Sequence, residues 1–270
     1  MCSLSVSIVT YRNNLTVLAE TLTSLIQSIE YALEKGTLKS AKVTIVDNGG
    51  QTDRIRSVVE NIALATIAFD ILANQTNVGF GRGHNQALSL AVSDYHLVLN
   101  PDVIMPLDVV DKSLRAVTSS EGCVMISPIG INEQGDPCYL RKNYPSVLAL
   151  VLRGMNVNFL NGLFSRSLAH YEDRIALKQK NNEAKLASGC FMFCQSMALK
   201  KVGGFDPLFF LYFEDFDLSL RLQTIGWINF PPDIVIQHLG GKTAAKGFRH
   251  IILFAQSAFR FFQKHGWKWI

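Results

Sequence analysis

Hydrophobic and polar positions switch between two periods along the chain, and each switch marks an element. Residues 4–9, Leu4-Ser5-Val6-Ser7-Ile8-Val9, alternate as a strand does. Leu15, Leu18, Leu22, Leu25, Ile26 and Ile29 then recur at three- and four-residue spacing, which places them on one helix face. Asn13 and Asn14 offer side-chain oxygens to cap that helix. Residues 42–46 predict a second strand, and Asp53 opens a helix carrying Ile55, Val58, Val59 and Ile62. A short strand at 71–72, a helix over 83–92, a strand over 95–99 and a helix over 106–117, with Pro106 at its start, follow. Such alternation predicts an α/β fold with a mostly parallel sheet and helices on both faces.

Beyond residue 120 the periods are less regular. The turn signal Gln134-Gly135-Asp136-Pro137 sits within residues 127–144 and predicts a hairpin. Residues 153–185 are polar and basic and read as a loop. A strand over 187–194, a helix over 214–225 and a short strand over 234–236 complete the pattern. No repeat or low-complexity linker divides the chain. One unit over residues 1–247, with halves 1–120 and 121–247, is expected, followed by an amphipathic helix over 248–270.

Composition narrows the class. Of the 270 residues 48% are hydrophobic and 18% charged, a globular balance that excludes general disorder. The net charge of +4 suits an anionic ligand or a phospholipid surface and gives no indication of nucleic acid. Five cysteines match neither a disulfide framework nor a four-ligand zinc site. The N-terminus opens directly into a strand pattern without a signal-peptide core. No apolar run reaches the roughly 20 residues of a spanning helix. A reducing cytoplasmic setting is expected.

Ligands of open parallel sheets bind beyond the carboxyl ends of the strands. Here each predicted strand ends in a polar cluster: Thr10-Tyr11-Arg12, Asp47-Asn48-Gly49, Asn74 to Asn77, and Asn100-Pro101-Asp102. Each alone is also ordinary turn chemistry; four at one sheet edge predict a hydrogen-bonding cleft. The segment Asn77-Val78-Gly79-Phe80-Gly81-Arg82-Gly83-His84-Asn85 lacks the third glycine of a dinucleotide fingerprint, His84 standing there. It fits either a phosphate-approaching turn aided by Arg82 or close helix–sheet packing. Asp102 is a candidate ligand for a hard divalent cation, or an ordinary turn residue.

Glu214, Asp215 and Asp217 crowd three carboxylates into four positions behind Phe209, Phe210, Tyr212 and Phe213. Helix-dipole preference and an Asp217–Arg221 pair explain part of that cluster. The aromatic run adds desolvation, which raises a carboxylate's pKa and suits it to accept a proton. His238 follows a short apolar strand and precedes Gly240-Gly241-Lys242-Thr243, so it fits a structural role or a metal or phosphate site equally.

The ordered set Val9-Thr10-Tyr11, Val46-Asp47-Asn48, Asn77-x-Gly79-Phe80, Asn100-Pro101-Asp102, Ser188-Gly189-Cys190, Gly204-Phe205-Asp206, Glu214-Asp215-x-Asp217-Leu218 with Arg221, and His238 resembles the family 2 inverting glycosyltransferases, in particular their bacterial rhamnosyltransferase branch. The likeness spans roughly residues 4–245. It implies a GT-A fold whose first half binds a nucleotide-diphosphate sugar and whose second half binds the acceptor, a glycan or lipid-linked glycan of surface polysaccharide synthesis. By that resemblance Thr10, Tyr11, Arg12, Asp47, Asn77, Gly79, Phe80, Arg82, Asn85 and Asn100 bind the donor, with Asp47 accepting from the base. Asp102 occupies the last position of the family's DXD motif and implies Mg²⁺ or Mn²⁺. Asn100 stands where many members carry the first Asp, which draws His238 in as a second metal ligand. Asp215 matches the catalytic base, with Glu214 and Gly189 on the acceptor side. L-Rhamnose from dTDP-rhamnose is the expected sugar. Another UDP- or GDP-sugar, a nucleotidyltransferase, and a non-catalytic sugar-nucleotide-binding module are the competing expectations.

In residues 248–270, Arg249, Arg260, Lys264 and Lys268 interleave with Phe254, Phe259, Phe261, Phe262, Trp267 and Trp269. That pattern suits a helix in the interface of a membrane's cytoplasmic face, and equally one packed on the domain.

Overall fold

The computed structural model describes residues 1–62, 64–155, 170–173, 185–240 and 248–270. Most of the 153–185 loop expectation, and all of the glycine turn beyond Gly240, lie outside them. A seven-stranded sheet has the order β12-β6-β11-β4-β1-β2-β3. Its strands are β1 Cys2–Thr10, β2 Leu38–Asp47, β3 Ile67–Ala73, β4 Tyr95–Leu99, β6 Cys123–Ile126, β11 Phe191–Gln195 and β12 Trp227–Asn229. β11 runs antiparallel to both neighbours and the other pairs are parallel. Three of these strands come from beyond residue 120, so the two expected halves share one sheet.

Helices α1 Leu15–Glu34, α2 Thr52–Ile62 and α4 Val109–Thr118 supply one face, where Leu18, Leu22, Leu25 and Ile29 pack on Val6, Ile8, Leu97 and Leu99. Helices α3 Phe80–Leu90, α6 Ser196–Lys201 and α7 Glu214–Leu222 cover the other, where Leu88, Leu199, Leu218 and Leu222 meet Val98, Met192 and Cys194. The inward face thus alternates along β4, as the strand period requires. Asn14 caps α1 by accepting from the Thr16 N–H. A third, aromatic cluster joins α5 Val147–Met155 and the start of α7 to the C-terminal helix α8 Phe248–His265.

A four-stranded sheet, β5-β13-β7-β8, contains β5 Val103–Ile104, β7 Ile129–Ile131, β8 Pro137–Cys138 and β13 Val235–His238. β7 and β8 form the expected hairpin. A two-stranded ladder pairs β9 Arg141–Lys142 with β10 Leu186–Ala187.

Three local expectations are corrected, and one buried network is added. α3 begins at Phe80, three residues early, because Gly81 and Gly83 lie inside it. A Cβ at either would stand 2.8 Å from Phe205 or Val9, so the missing side chains permit close helix–sheet approach. α4 begins at Val109 rather than Pro106, with Asp108 at its N-cap position. The strand over 187–194 breaks at 188–190, where Ser188 N donates to Leu140 O and Asn100 N donates to Cys190 O. Finally, the polar positions of β1 face a buried network. Ser5 Oγ lies 2.7 Å from His96 Nδ1, His96 Nε2 lies 2.8 Å from Ser7 Oγ, and Ser7 Oγ lies 2.7 Å from His84 Nδ1. Burial holds both imidazoles neutral, His96 with its pKa lowered to about 3.

Candidate functional site

Register gathers the polar clusters. Thr10 pairs with Asp47 and Asp47 with Ala73, so β1, β2 and β3 end in one row, and β4 ends at Leu99 opposite Ile8. Because β11 is antiparallel, its first residue, Phe191, sits opposite Leu99 and brings Gly189 and Cys190 to the same edge. Asn48 Nδ2 donates to Gly79 O at 3.2 Å, and Phe80 N donates to Phe210 O at 3.1 Å. Gly79 has φ 93°, and a Cβ there would stand 2.5 Å from Phe210 O, so both its conformation and its surroundings require glycine. Asn77 Oδ1 accepts from Gly79 N and closes the turn. Tyr11 is exposed at this rim with the Arg12 guanidinium 5.6 Å from its ring centroid.

Four residues expected to touch a donor also make hydrogen bonds within the protein. Thr10 and Asp47 are fully buried. Thr10 Oγ1 donates to Val46 O. The Asp47 carboxylate accepts from Gly49 N, Gln51 N and Thr52 Oγ1 at 2.6–2.8 Å, which shapes the turn. Arg82 is exposed and donates through Nε and Nη2 to Pro207 O. Asn85 brackets Phe205, donating to its carbonyl and accepting from its N–H.

Asp102 and His238 do meet. β5 pairs His238 opposite Val103, leaving His238 Nε2 3.3 Å from Asp102 Oδ1. Asp102 Oδ1 is buried without a hydrogen bond, and a Cβ at Gly240 would overlap Asp102 Oδ2. Among the described residues no third Asp, Glu, His or Cys joins them. A carboxylate oxygen lacking a donor, an imidazole beside it and a cradle open only to glycine fit a cation that draws its other ligands from water and phosphate.

The carboxylate end is built by a strained turn. Tyr212 (φ 71°) and Phe213 (φ 65°) are both left-handed, at roughly 1–2 kcal/mol each for residues of this bulk. They aim the first turn of α7 so that Asp215 Oδ2 accepts from Gly189 N at 2.9 Å and Oδ1 from Phe216 N at 2.9 Å. Gly189 packs so closely that a Cβ would lie 3.2 Å from the Phe80 ring and 3.3 Å from Asp215 Cβ. Burial raises the Asp215 pKa, and those N–H groups oppose the rise. Glu214 is buried with Oε2 unpartnered; burial, then the neighbouring Asp215 charge, raises its pKa well above the usual range. Cys190 lies between the two acidic sites: its thiol is pushed up to about 12, chiefly by burial, with charge from both Asp102 and Asp215 contributing. The edge therefore joins the Asp102–His238 pair, a glycine-closed loop and a raised-pKa carboxylate.

The profile described as Glycosyl transferase family 2 matches residues 5–203, most of the chain. The chain belongs to glycosyl transferase family 2. As a family 2 glycosyltransferase it is 26% identical over 250 residues to an N-acetylglucosaminyl-diphospho-decaprenol L-rhamnosyltransferase of Mycobacterium tuberculosis, covering 87% of this chain and 80% of the relative. It is 28% identical over 160 residues to Rhamnosyltransferase WbbL of Escherichia coli K12, covering 54% and 56% respectively. In fold it resembles the mannosyltransferase PcManGT of Pyrobaculum calidifontis, solved with GDP-Man and Mn²⁺, at TM-score 0.63 and 18% identity. It also resembles GalNAc-T7, solved with UDP, GalNAc and Mn²⁺, at TM-score 0.66 and 14% identity. Those matches cover 97% of this chain but only 64% and 48% of the two solved chains. The fold of this glycosyltransferase is GT-A.

The family 2 chain also carries contacts that residue types alone did not reveal. Asn48 and Phe210 clamp the Gly79 turn, and His250 on α8 meets the Tyr212 hydroxyl at 2.9 Å. The Tyr212 signal was present as the aromatic run; His250 lay in a helix read only for its amphipathicity.

Proposed function

We propose that this glycosyltransferase transfers L-rhamnose from dTDP-rhamnose, with inversion, to a hydroxyl of a lipid-linked glycan in surface polysaccharide synthesis. The observation that carries the reading is Asp215: a raised-pKa carboxylate held by two backbone N–H groups at the edge shared with Asp102 and His238. The rhamnosyltransferase names of the relatives support the sugar.

Mg²⁺ or Mn²⁺ held by Asp102 and His238 would neutralise charge on the leaving diphosphate, the chemistry such ions supply to phosphate esters. The exposed Tyr11 and Arg12 and the half-buried Asn77, Phe80 and Asn100 form the donor side; Thr10, Asp47, Arg82 and Asn85 hold its framework. Asp215 takes the acceptor hydroxyl proton as that oxygen bonds to the anomeric carbon and the carbon–diphosphate oxygen bond breaks. One displacement inverts the centre. Glu214, buried beside that base with its pKa raised and Oε2 unpartnered, lies with Gly189 on the acceptor side.

α8 packs one face on the domain, burying Phe261 and Phe262, and turns Ile251 and Phe259 outward, and Trp267 and Trp269 follow it with exposed rings. We infer a peripheral contact with the cytoplasmic membrane face that holds the lipid-linked acceptor. Among the described residues no helix is long and apolar enough to cross a membrane.

The test is a thermal-shift panel of dTDP-, UDP- and GDP-sugars with and without Mn²⁺, since a ligand that binds only the native state raises its midpoint. The reading expects dTDP-rhamnose with Mn²⁺ to give the largest shift, and NMR of its product to show an inverted anomeric centre. A larger shift from a UDP- or GDP-sugar would reassign the donor; a retained anomer would remove the single-displacement mechanism.

A further inference from the structure

α8 lies along residues 206–217 as a splint, and its contacts recur at helical spacing. His250 Nδ1 is 2.9 Å from the Tyr212 hydroxyl. Phe254 packs on Tyr212 and Phe213 with ring centroids 5.5 and 5.1 Å away. Ser257 Oγ donates to Leu211 O at 2.8 Å, and Arg260 donates to Leu208 O. Phe261 meets Phe213 at 5.3 Å. Lys264 pairs with both Asp206 and Asp217 at 2.6 Å, and His265 reaches Asp217 at 2.8 Å. Positions 250, 254, 257, 261 and 264 share one face of a 3.6-residue helix. That face is spent on the segment leading into the carboxylates.

The opposite side of the same segment is held by the donor-side helix: Arg82 on Pro207 O, Asn85 around Phe205, and Phe80 N on Phe210 O. The left-handed pair Tyr212–Phe213 therefore sits at the end of a strip gripped from two sides. Phe213 occupies the N-cap position of α7 without a side-chain cap bond, and Asp215 follows two residues later. Two bulky residues hold positive φ only where their surroundings over-determine it. On Tyr212 those surroundings are the His250 bond and the Phe254 ring, both from α8.

We propose that His250 is a positioning residue for the transfer reaction: through the Tyr212 hydroxyl it fixes the left-handed turn that aims Asp215 at Gly189 N. α8 on this account sets the geometry of the base. The inference rests on Asp215 being that base, and the experiment separates the two.

Full-length Tyr212→Phe, His250→Ala, His250→Asn and Asp215→Asn proteins are compared by amide hydrogen exchange and by nucleoside-diphosphate release from the sugar nucleotide that most stabilises the wild type. Exchange needs no ligand and decides the positioning claim. His250→Ala and Tyr212→Phe should each speed exchange of peptides containing Gly189 and Phe216 by about tenfold, while the Asp47–Gln51 turn keeps wild-type protection. A Tyr212→Phe/His250→Ala double variant, added to the set, should equal the singles, and His250→Asn, which retains a hydrogen-bonding atom, should recover most protection. In turnover, kcat should fall about tenfold for both single variants with the donor KM within about twofold. Uniformly faster exchange across the chain, unchanged protection at Gly189 and Phe216, or additive losses in the double variant would overturn the positioning role. Wild-type turnover by Asp215→Asn would instead overturn the base assignment, whatever His250 does.

Discussion

Lowering the pH from 7 to 5 should destabilise this protein through the histidine network beneath α3, and His96 sets the scale. Its imidazole is buried between Ser5 and Ser7, with pKa lowered from 6.5 to about 3, chiefly by burial. A group whose folded pKa is depressed contributes its full stability above the unfolded pKa. That contribution is lost as pH falls through 6.5 toward 3, because the unfolded chain takes up a proton the folded chain refuses. At about 1.4 kcal/mol per pH unit, the loss from His96 between pH 7 and pH 5 is about 2 kcal/mol. His84 is shifted in the same direction by burial and by His96, and adds to the slope. Glu214 and Asp215 oppose it, since their pKa values are raised and their protonation in acid relieves a folded-state cost. The difference between the wild type and His96→Gln isolates His96, because every other group titrates in both. Glutamine keeps one donor and one acceptor for the two serines and removes the titration. Urea unfolding at pH 7, 6 and 5 should give a wild-type curve about 2 kcal/mol steeper than the variant's, roughly 4–8 °C in Tm. Equal slopes would refute the claim that a neutral, desolvated His96 is built into the sheet.

Three further outcomes follow from particular contacts. Gly240→Ala places a Cβ on Asp102 Oδ2 and should weaken Mn²⁺ binding, read by titration calorimetry, by about tenfold or more while the apo unfolding midpoint stays in place; unchanged affinity would remove Asp102 as a ligand. Asp217 is fully buried and accepts from Arg221, Lys264 and His265, so Asp217→Asn should cost about 2–3 kcal/mol in denaturant unfolding, limited by the partial exposure of its partners. A loss below about 0.5 kcal/mol would mean that this network does not dock α8. Replacing Trp267 and Trp269 together by Ser removes two exposed rings, of which Trp267 also stacks on Phe262 at 5.2 Å. It should abolish flotation with anionic liposomes, and retained flotation would place the membrane contact elsewhere. Truncating before residue 248 is a poorer test, because the inner face of α8 is part of the core.

The βα units were legible because strand and helix periods alternate cleanly through residue 118, and the sheet edge followed from parallel strands alone. The meeting of Asp102 and His238 required β13 to lie beside β5, a long-range pairing that no local period encodes. Asp215 stood out because three carboxylates behind aromatic residues are unusual. What stayed hidden was direction. Thr10, Asp47, Arg82 and Asn85 have the residue types of ligand contacts, and each also bonds within the protein: Asp47 to its own turn, the others to Val46, Pro207 and Phe205, partners that only the tertiary fold brings near. The break at Ser188–Cys190 was invisible because those residues read as a continuous strand, whereas Gly189 is drawn out of the ladder by Asp215. The Ser5–Ser7 alternation signalled a strand correctly and said nothing of two histidines waiting beneath it.

The most direct test of the account is single-turnover transfer by Asp215→Asn alongside donor binding by the same variant. Asparagine preserves the side chain's shape and removes its capacity to take a proton. The account predicts a loss of about 10²–10⁴-fold in the rate of transfer with donor affinity retained. A transfer rate at the wild-type level would contradict it.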